Sequence, residues 1–370
     1  MGISASKVEE KERSGAKSQY RARQLVSQAI DKFKLKLDGL TILTEAASGN
    51  YIFTPLIAAL AGAKKVYAIT KNSRYASLEE VTRDTMRLAE QWGITGQLEI
   101  HTSRKPHIIH EADIVTNLGF VRPIDKEFVS HMKETAVVPL MFETWEYRES
   151  DLDLAACRER NILVLGTNEK IEGLEIFGYI GNLAMKLAFE LDIEVFKSKV
   201  AVVGGGYFGD SAVKAFLGAG ASVVNFRISE GDGLATEKSR RELSDCDLLV
   251  FVEHQSRDLI LGKGGQLAVS ELLRINPGVS VVHIAGNVDE DAIRVARIPC
   301  RPSHFAPPGY MSLSTDYLGP RPVIDLHTAG LKVGELMARA RVKGLGIEEA
   351  KDVALRNLVC QDFPGGQRAK

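Results

Sequence analysis

Three glycines with the spacing Gly204-x-Gly206-x-x-Gly209 carry the clearest chemical signal in the sequence. The apolar run 200–203 comes directly before them, and a helical pattern starts directly after. In such an arrangement the first glycine permits a tight turn, the second lets the main chain approach a pyrophosphate, and the third lets helix and strand pack closely. Free N–H groups at the start of the helix would face the phosphates. We therefore expect a dinucleotide-binding turn, with contacts from Gly204, Gly206, Tyr207, Phe208 and Gly209.

The end of the next apolar run, 222–226, bears on which dinucleotide fits. An acidic residue at this place would accept a hydrogen bond from the ribose 2′-hydroxyl of NAD, whereas this chain has Arg227 and Ser229. A guanidinium group and a hydroxyl are suited to a 2′-phosphate. The residues therefore predict NADP as the cofactor, with NAD as the alternative.

Polar residues follow four short apolar runs in the N-terminal half, at 45–50, 117–122, 143–148 and 167–169. Open parallel sheets bind ligands at the carboxyl ends of their strands, so these residues predict a substrate cleft. The acidic groups suit a substrate that carries an amine or several hydroxyls, and Arg122 or Arg148 could hold a carboxylate. The predicted substrate contacts are Glu45, Ser48, Asn50, Asn117, Glu143, Glu146, Arg148, Asn168 and Glu169.

Short apolar runs that alternate with helical patterns must position these residues. Such runs are typical of strands buried on both faces of a parallel sheet. The sequence predicts an α/β fold with two doubly wound parallel-sheet lobes, the second a Rossmann dinucleotide-binding domain. We expect a charged N-terminal arm at 1–35, a substrate lobe at 36–170 plus 331–370, and the Rossmann domain at 171–330. Among the predicted elements are a connecting helix at 172–191, a strand at 323–326, and a helix at 331–340 that leads back to the substrate lobe.

Composition limits the classes of partner. The 370 residues are 45% hydrophobic and 26% charged, with a formal net charge of -1. A charge so close to zero gives no electrostatic reason to expect a nucleic acid or a membrane surface as partner. The four cysteines lie far apart in the sequence, which predicts neither a metal site nor disulfides and is typical of a cytoplasmic protein. The expected partner is a small-molecule substrate.

The order of motifs resembles the D-2-hydroxyacid dehydrogenase family, within the wider group that includes S-adenosylhomocysteine hydrolase. The likeness covers roughly residues 151–335. It is carried by Asp151-Leu152-Asp153-Leu154-Ala155-Ala156-Cys157 with 161–164, by the glycine turn, by His254 with the segment 272–293, and by Leu326-His327-Thr328-Ala329-Gly330. The resemblance implies that His254 and Ala285 contact the cofactor and that the protein forms a homodimer through the cofactor lobe.

In that family an Arg binds the substrate carboxylate, a His exchanges a proton with the substrate, and a Glu orients the His. The resemblance assigns the proton-exchange role to His327, which we expect just after the strand at 323–326. Where the Arg is expected the chain has Ala285-Gly286-Asn287, and where the Glu is expected it has residues 302–307 with His304. His304 is therefore a second catalytic candidate, able to orient or replace His327.

These observations predict an NAD(P)-dependent oxidoreductase that transfers a hydride to or from a small polar metabolite. The reacting centre would be C–OH/C=O or C–N, with His327 as acid and base. Two alternatives stay open. One is an enzyme that retains its cofactor for hydrolysis or elimination, as S-adenosylhomocysteine hydrolase does. The other is a dinucleotide-binding sensor that lacks a full catalytic set.

Overall fold

The computed structural model describes residues 20–231 and 233–364. The chain forms two compact units: the first runs to Leu174 and resumes at Pro320, and the second comprises Glu175–Gly319. Of the expected N-terminal arm, residues 1–19 lie outside the described residues. Residues 20–33 form a helix, α1, whose side chains Leu25, Val26 and Ala29 are buried.

The remaining helices are short in both units except for one near the C-terminus. In chain order they are α2 Phe53–Leu60, α3 Leu78–Trp92, α4 Pro106–Glu111, α5 Lys126–His131, α6 Leu154–Glu159, α7 Gly178–Phe189, α8 Gly206–Gly218, α9 Glu237–Leu243, α10 Val269–Ile275, α11 Glu290–Val295, α12 Arg321–Val342 and α13 Ile347–Leu355. None of the helices between residues 20 and 364, leaving aside residue 232, is both long and apolar enough to cross a membrane.

The strands are likewise short, and most are wholly buried. In chain order they are β1 Thr41–Glu45, β2 Lys65–Ile69, β3 Leu98–His101, β4 Ile114–Val115, β5 Val137–Pro139, β6 Leu163–Thr167, β7 Lys199–Val203, β8 Ser222–Phe226, β9 Leu248–Val252, β10 Leu259–Leu261, β11 Ser280–Ala285, β12 Asn287–Val288, β13 Cys300–Arg301 and β14 Cys360–Gln361.

The first unit is built on a sheet with the strand order β14-β6-β5-β4-β1-β2-β3. All neighbours pair in parallel except β14, which runs antiparallel to β6. The chain goes from β1 to β2 on one side and later to β4 on the other, so the strand order reverses between β1 and β4. Such a reversal opens a crevice at the carboxyl ends of the two strands.

The second unit contains a parallel sheet with the order β13-β11-β9-β7-β8, beside a small pair formed by β10 and β12. The order reverses between β7 and β9, which places the end of β7 at the crevice of this sheet. Two parallel sheets, one in each unit, confirm the predicted α/β class.

The predicted strand at 323–326 is wrong, because these residues belong to α12. The run Val-Ile-Asp-Leu resembles a strand locally, but the helix is selected by its packing on the sheet of the first unit. A Cβ atom on Gly330 would lie 2.6 Å from Met141 Sδ, and one on Gly334 would lie 2.7 Å from Ile114 Cγ2. The two glycines, one helical turn apart, therefore let α12 approach β4 and the segment after β5 closely.

The predicted helix at 172–191 is too long at its N-terminal end, since α7 begins at Gly178. The main chain is left-handed at Gly173 and Glu175, with φ of 85° and 42°. A right-handed helix cannot pass through such residues. The predicted helix at 331–340 lies wholly inside α12, and the chain re-enters the first unit at Pro320, before the expected position.

Candidate functional site

The glycine turn connects β7 to α8, and each of its three spaced glycines is required by a close contact. Gly204 has φ of 138°, and a Cβ atom there would lie 2.6 Å from the Glu253 main-chain nitrogen. Gly206 has φ of 58°, and its Cβ would lie 3.2 Å from His254 Cε1. A Cβ on Gly209 would lie 2.4 Å from the Gly204 carbonyl oxygen. The turn thus brings the start of α8 directly against the end of β9.

Two buried polar atoms at the end of β9 have no hydrogen-bond partner among the described residues. They are Oε2 of Glu253 and Nδ1 of His254. The other Glu253 oxygen, Oε1, accepts from the main-chain N–H groups of Gln255 and Ser256, at 2.7 and 3.0 Å. An unsatisfied buried polar group is costly, so these atoms fit a polar ligand at the mouth of the turn.

Aromatic rings surround the start of α8. The imidazole of His254 stacks on Phe208, with ring centroids 4.3 Å apart, and burial lowers the pKa of His254. Phe177 stacks on the exposed ring of Tyr207 at 5.4 Å. Ala285, the last residue of β11, is buried at the same edge of the sheet. The predicted cofactor contacts of the turn, His254 and Ala285 therefore all lie at the carboxyl edge of one sheet.

Arg227 is held by two carboxylates. Its Nη1 donates to Asp210 Oδ1 at 2.6 Å, while Nη2 and Nε donate to the two Glu230 oxygens at 2.6 and 2.7 Å. The bonds to Arg227 lower the pKa of Glu230, and the Gly206 N–H contributes to the same shift. The hydroxyl of Ser229 donates to Gln255 Oε1 at 2.8 Å. Both residues predicted to hold a 2′-phosphate are thus engaged in contacts within the protein.

His327 lies in α12 and belongs to the first unit, not at the end of a strand as predicted. Its Nδ1 is 2.6 Å from the Thr54 hydroxyl, and its ring lies 5.8 Å from that of Tyr51. Burial lowers the pKa of His327 to about 4, so the imidazole is neutral at pH 7. His304 belongs to the second unit, where its exposed ring accepts from Arg294 Nη2 at 2.8 Å and lies near Glu290.

Polar residues occupy the crevice between β1 and β4. Glu45, the last residue of β1, is buried, and its Oε2 accepts from the Phe120 N–H at 2.8 Å. Burial raises the pKa of Glu45, partly offset by that N–H and by the charge of Arg122. Asn117 is also buried and accepts from the Met141 N–H at 2.9 Å. Ser48 and Asn50 stand beside this crevice, at and just after the start of the 3-10 turn Gly49–Ile52.

Three carboxyl groups meet where β5 and β6 end. Glu143 and Glu146 flank the 3-10 turn Thr144–Glu146 after β5, and Glu169 follows β6. Burial is the main cause that raises the pKa of Glu146, to about 7, and the pKa of Glu169 well above its ordinary value. Neighbouring carboxylates add to both shifts. We call Glu143, Glu146 and Glu169 the carboxyl cluster.

The side chains around the carboxyl cluster fix its two turns. The Thr144 N–H donates to Gln361 Oε1 at 2.7 Å. Asn168 donates to the Leu358 carbonyl at 3.1 Å and accepts from the Lys170 N–H at 3.2 Å. Arg148 follows on the exposed side, and its charge lowers the pKa of Glu146. Asn168 therefore positions the turn that carries Glu169.

Several residues at these sites were not singled out from the sequence. Asp210 and Glu230 were missed, although Glu230 lies three residues after Arg227, a spacing at which opposite charges commonly pair. Glu253 could have been found as an acidic residue directly after a buried strand. Trp145 and Lys170 contact Glu143 only because two strand ends meet, and no local pattern in the sequence indicates these contacts.

No family model matches the chain, and no curated protein matches it in sequence. Among solved structures it is similar to one of the polypeptides of dipicolinate synthase from Bacillus halodurans, with 14% identity, a TM-score of 0.47, and coverage of 83% of this chain and 99% of that one. The corresponding protein from Bacillus subtilis has 13% identity, a TM-score of 0.48, and coverage of 84% and 98%.

A further similar structure is a putative D-isomer specific 2-hydroxyacid dehydrogenase, NAD-binding, from Polaromonas sp. JS6 66. It has 13% identity, a TM-score of 0.43, and coverage of 76% of this chain and 97% of that one. The family that the sequence motifs resemble is thus represented among the similar structures. Because the identities and TM-scores are this low, what those proteins bind does not assign a ligand to this chain.

Proposed function

We propose that the second unit binds NAD and that this chain is an NAD-dependent oxidoreductase acting on a small polar metabolite. The reacting centre would be C–OH/C=O or C–N. The observation that supports the proposal is the glycine turn. Its spaced glycines are all required by close contacts, and the turn lies at a strand-order reversal beside two unsatisfied buried polar atoms. A pyrophosphate at the start of α8 would be bound by main-chain N–H groups.

The contacts of Arg227 favour NAD, the alternative at the sequence level, over NADP. Asp210 and Glu230 together carry one more negative charge than Arg227 neutralises. A 2′-phosphate would have to displace one of these carboxylates and remain next to the other, which is unfavourable electrostatically. A ribose 2′-hydroxyl, in contrast, can donate to a carboxylate oxygen.

A bound nicotinamide ring would supply the hydride acceptor or donor. The chain's own residues would handle the proton, and His327 is our candidate for this role. The hydrogen bond between Nδ1 and Thr54 fixes the ring, so proton exchange would take place at Nε2. With a pKa of about 4 the imidazole is unprotonated at pH 7, so it is ready to accept a proton when an alcohol or amine is oxidised.

The proposal is tested by titrating the protein with NADH and following the fluorescence of the bound nucleotide. In Gly206→Ala the added methyl group meets His254 and Gln255 at the mouth of the turn, and the residue must adopt a left-handed conformation. We expect it to weaken NADH binding by about tenfold or more. The matched control is Gly218→Ala at the other end of α8, where a Cβ meets nothing within 4 Å. No binding of NADH or NADPH by the wild type would refute the proposal.

A second candidate function is a dinucleotide-binding sensor. It is favoured by the burial of His327 and by the lack of an Arg and a Glu at the positions that the family resemblance assigns to catalysis. Turnover separates the two candidates. A panel of amino-bearing, polyhydroxylated and 2-oxoacid carbonyl compounds, each assayed with NADH and NADPH, should include a substrate if the chain is an oxidoreductase. Tight NADH binding with no turnover of any member would favour the sensor.

A further inference from the structure

The carboxyl cluster combines three acidic side chains from two neighbouring strands in the first unit. Because β5 and β6 pair in parallel, their carboxyl ends lie at the same edge of the sheet. The side chains of Glu146 and Glu169 both face the main-chain N–H of Glu143, which lowers the pKa of each. The three carboxyl groups therefore share one small region.

Glu143 provides an independent sign that this region accepts a ligand. Its side chain is fully buried. Oε2 accepts from the Trp145 indole N–H at 2.7 Å and lies 3.2 Å from Lys170 Nζ. Oε1, equally buried, has no hydrogen-bond partner within the described part of the chain. A buried carboxylate oxygen without a donor is costly, so the region lacks a donor that a ligand could supply.

The opening of the region is aromatic. Trp145 is 57% exposed although its indole nitrogen is tied to Glu143, so the ring stands at the border between the carboxyl cluster and solvent. An indole face attracts organic cations through its quadrupole, and a desolvated contact of this kind is worth about 2 kcal/mol. Carboxylates behind an aromatic ring form a set of groups complementary to an alkylammonium ion.

We infer that the carboxyl cluster, with Trp145 at its opening, binds the ammonium group of an amine-bearing substrate. The inference rests on the proposed function, because it names the substrate class of that oxidoreductase. An ammonium group has three N–H donors and no acceptor. It can satisfy Glu143 Oε1 and one oxygen of each of the other two carboxylates, while its alkyl chain contacts the indole ring.

Other ligand classes fit these groups less well. Among residues 20–231 and 233–364 no group of three or more His, Cys, Asp or Glu side chains is arranged to hold a metal ion. An anion would face three carboxyl groups with only Lys170 and the exposed Arg148 as compensating charges. A neutral polyol could donate hydrogen bonds but would leave the negative charge uncompensated. A cation with several donors satisfies both needs.

Binding of a cation should release protons. Near pH 7 the cluster retains protons, since the pKa of Glu146 is about 7 and that of Glu169 is raised further. A cation between them stabilises the ionised forms and lowers both pKa values. Affinity should therefore rise as the pH increases through about 7. The other charged groups facing the cluster, Lys170 and Arg148, stay protonated over this range and do not contribute.

The test is calorimetric titration of the whole protein with n-butylammonium, n-butanol and butanoate, three probes with the same alkyl chain. Each titration is run in phosphate and in HEPES buffer, so that the difference in heat gives the number of protons released. We expect binding of n-butylammonium only, with proton release and with a change in tryptophan fluorescence from Trp145. No preference for n-butylammonium over n-butanol, or binding without proton release, would overturn the inference.

Two isosteric variants localise the site. Glu146→Gln and Glu169→Gln each remove one charge and should weaken n-butylammonium binding about 10- to 100-fold. Glu149→Gln, at an exposed position in the same segment, is the matched control and should bind as the wild type does. Equal binding by all three variants would overturn the inference. NADH binding, measured on the same samples, tests the proposed function separately. Wild type that binds NADH and shows no ammonium preference would refute only the inference.

Discussion

The pH dependence of stability provides a direct test of the environment of His327. In the folded protein its pKa is about 4, and burial is the cause, against an ordinary value of 6.5. Between these two values the unfolded chain binds more protons at this residue than the folded one. His327 therefore makes stability fall as the pH drops from about 6.5 towards about 4, and has no such effect above that window.

The size of the effect follows from the two pKa values. A difference of 2.5 pH units corresponds to about 3 kcal/mol over the whole window, at about 1.4 kcal/mol per unit. Between pH 7.5 and pH 5 the loss is about 2 kcal/mol. In His327→Gln this contribution disappears, so the free energy of unfolding should vary less with pH by about 2 kcal/mol over the same interval.

Urea unfolding followed by tryptophan fluorescence is the appropriate assay, because both tryptophans, Trp92 and Trp145, lie in the first unit with His327. Other groups with shifted pKa values in that unit are retained in the variant and cancel in the comparison. Thr54→Val is the matched control. It removes the hydrogen bond to Nδ1 but leaves burial, the cause of the shift, so its pH dependence should match the wild type. Identical pH dependence in wild type and His327→Gln would refute the reasoning.

Two further predictions concern the second unit. The double variant Asp210→Asn/Glu230→Gln releases Arg227 from its two carboxylates, so NADPH affinity should rise by about tenfold or more relative to NADH; an unchanged ratio in fluorescence titrations would contradict the proposed preference for NAD. Glu253→Gln removes a buried charge with an unsatisfied oxygen, so the melting temperature without ligand should be unchanged or higher while NADH binding weakens about tenfold. Glu237→Gln, at an exposed position, should change neither quantity, and weaker binding in both variants would indicate a nonspecific charge effect.

The sequence predicted the two parallel sheets well because their strands are short, continuous apolar runs. Thr41–Glu45 and Lys199–Val203, for example, are buried along almost their whole length. The glycine turn was predicted for a similar reason, since its geometry is set by local sterics. Each glycine has a fixed place relative to one strand and one helix, and the spacing along the chain records that place.

The prediction of a strand at 323–326 was wrong because the deciding contacts are distant in sequence. Nothing near Gly330 and Gly334 shows that they pack on Met141 and Ile114. A pair of glycines within a run of apolar residues usually indicates a break, but here it permits close packing of one continuous helix. His327 was accordingly predicted at the end of a strand, whereas α12 carries it into the interior of the first unit.

The contacts of Arg227 show a second limit of local patterns. A basic residue after the second strand suggests a phosphate ligand only if its charge is available. Whether it is available depends on Asp210 in α8 and on Glu230, which the fold brings to the guanidinium from two sides. The carboxyl cluster follows the same rule. Its members are visible in the sequence, but their mutual effect on pKa arises only where β5 and β6 meet.

Both units place a buried carboxylate with one unsatisfied oxygen at the carboxyl edge of a parallel sheet: Glu143 in the first and Glu253 in the second. Each carboxylate is partly satisfied by donors next to it in sequence, so it stays ionised and oriented without a ligand. Leaving the second oxygen without a donor costs about 1–3 kcal/mol. A hydrophobic residue of similar size would avoid this cost, as replacement of buried charges often does. The strand ends at which ligands bind in open sheets are where such a cost can be offset, because a ligand with N–H or O–H donors removes it on binding.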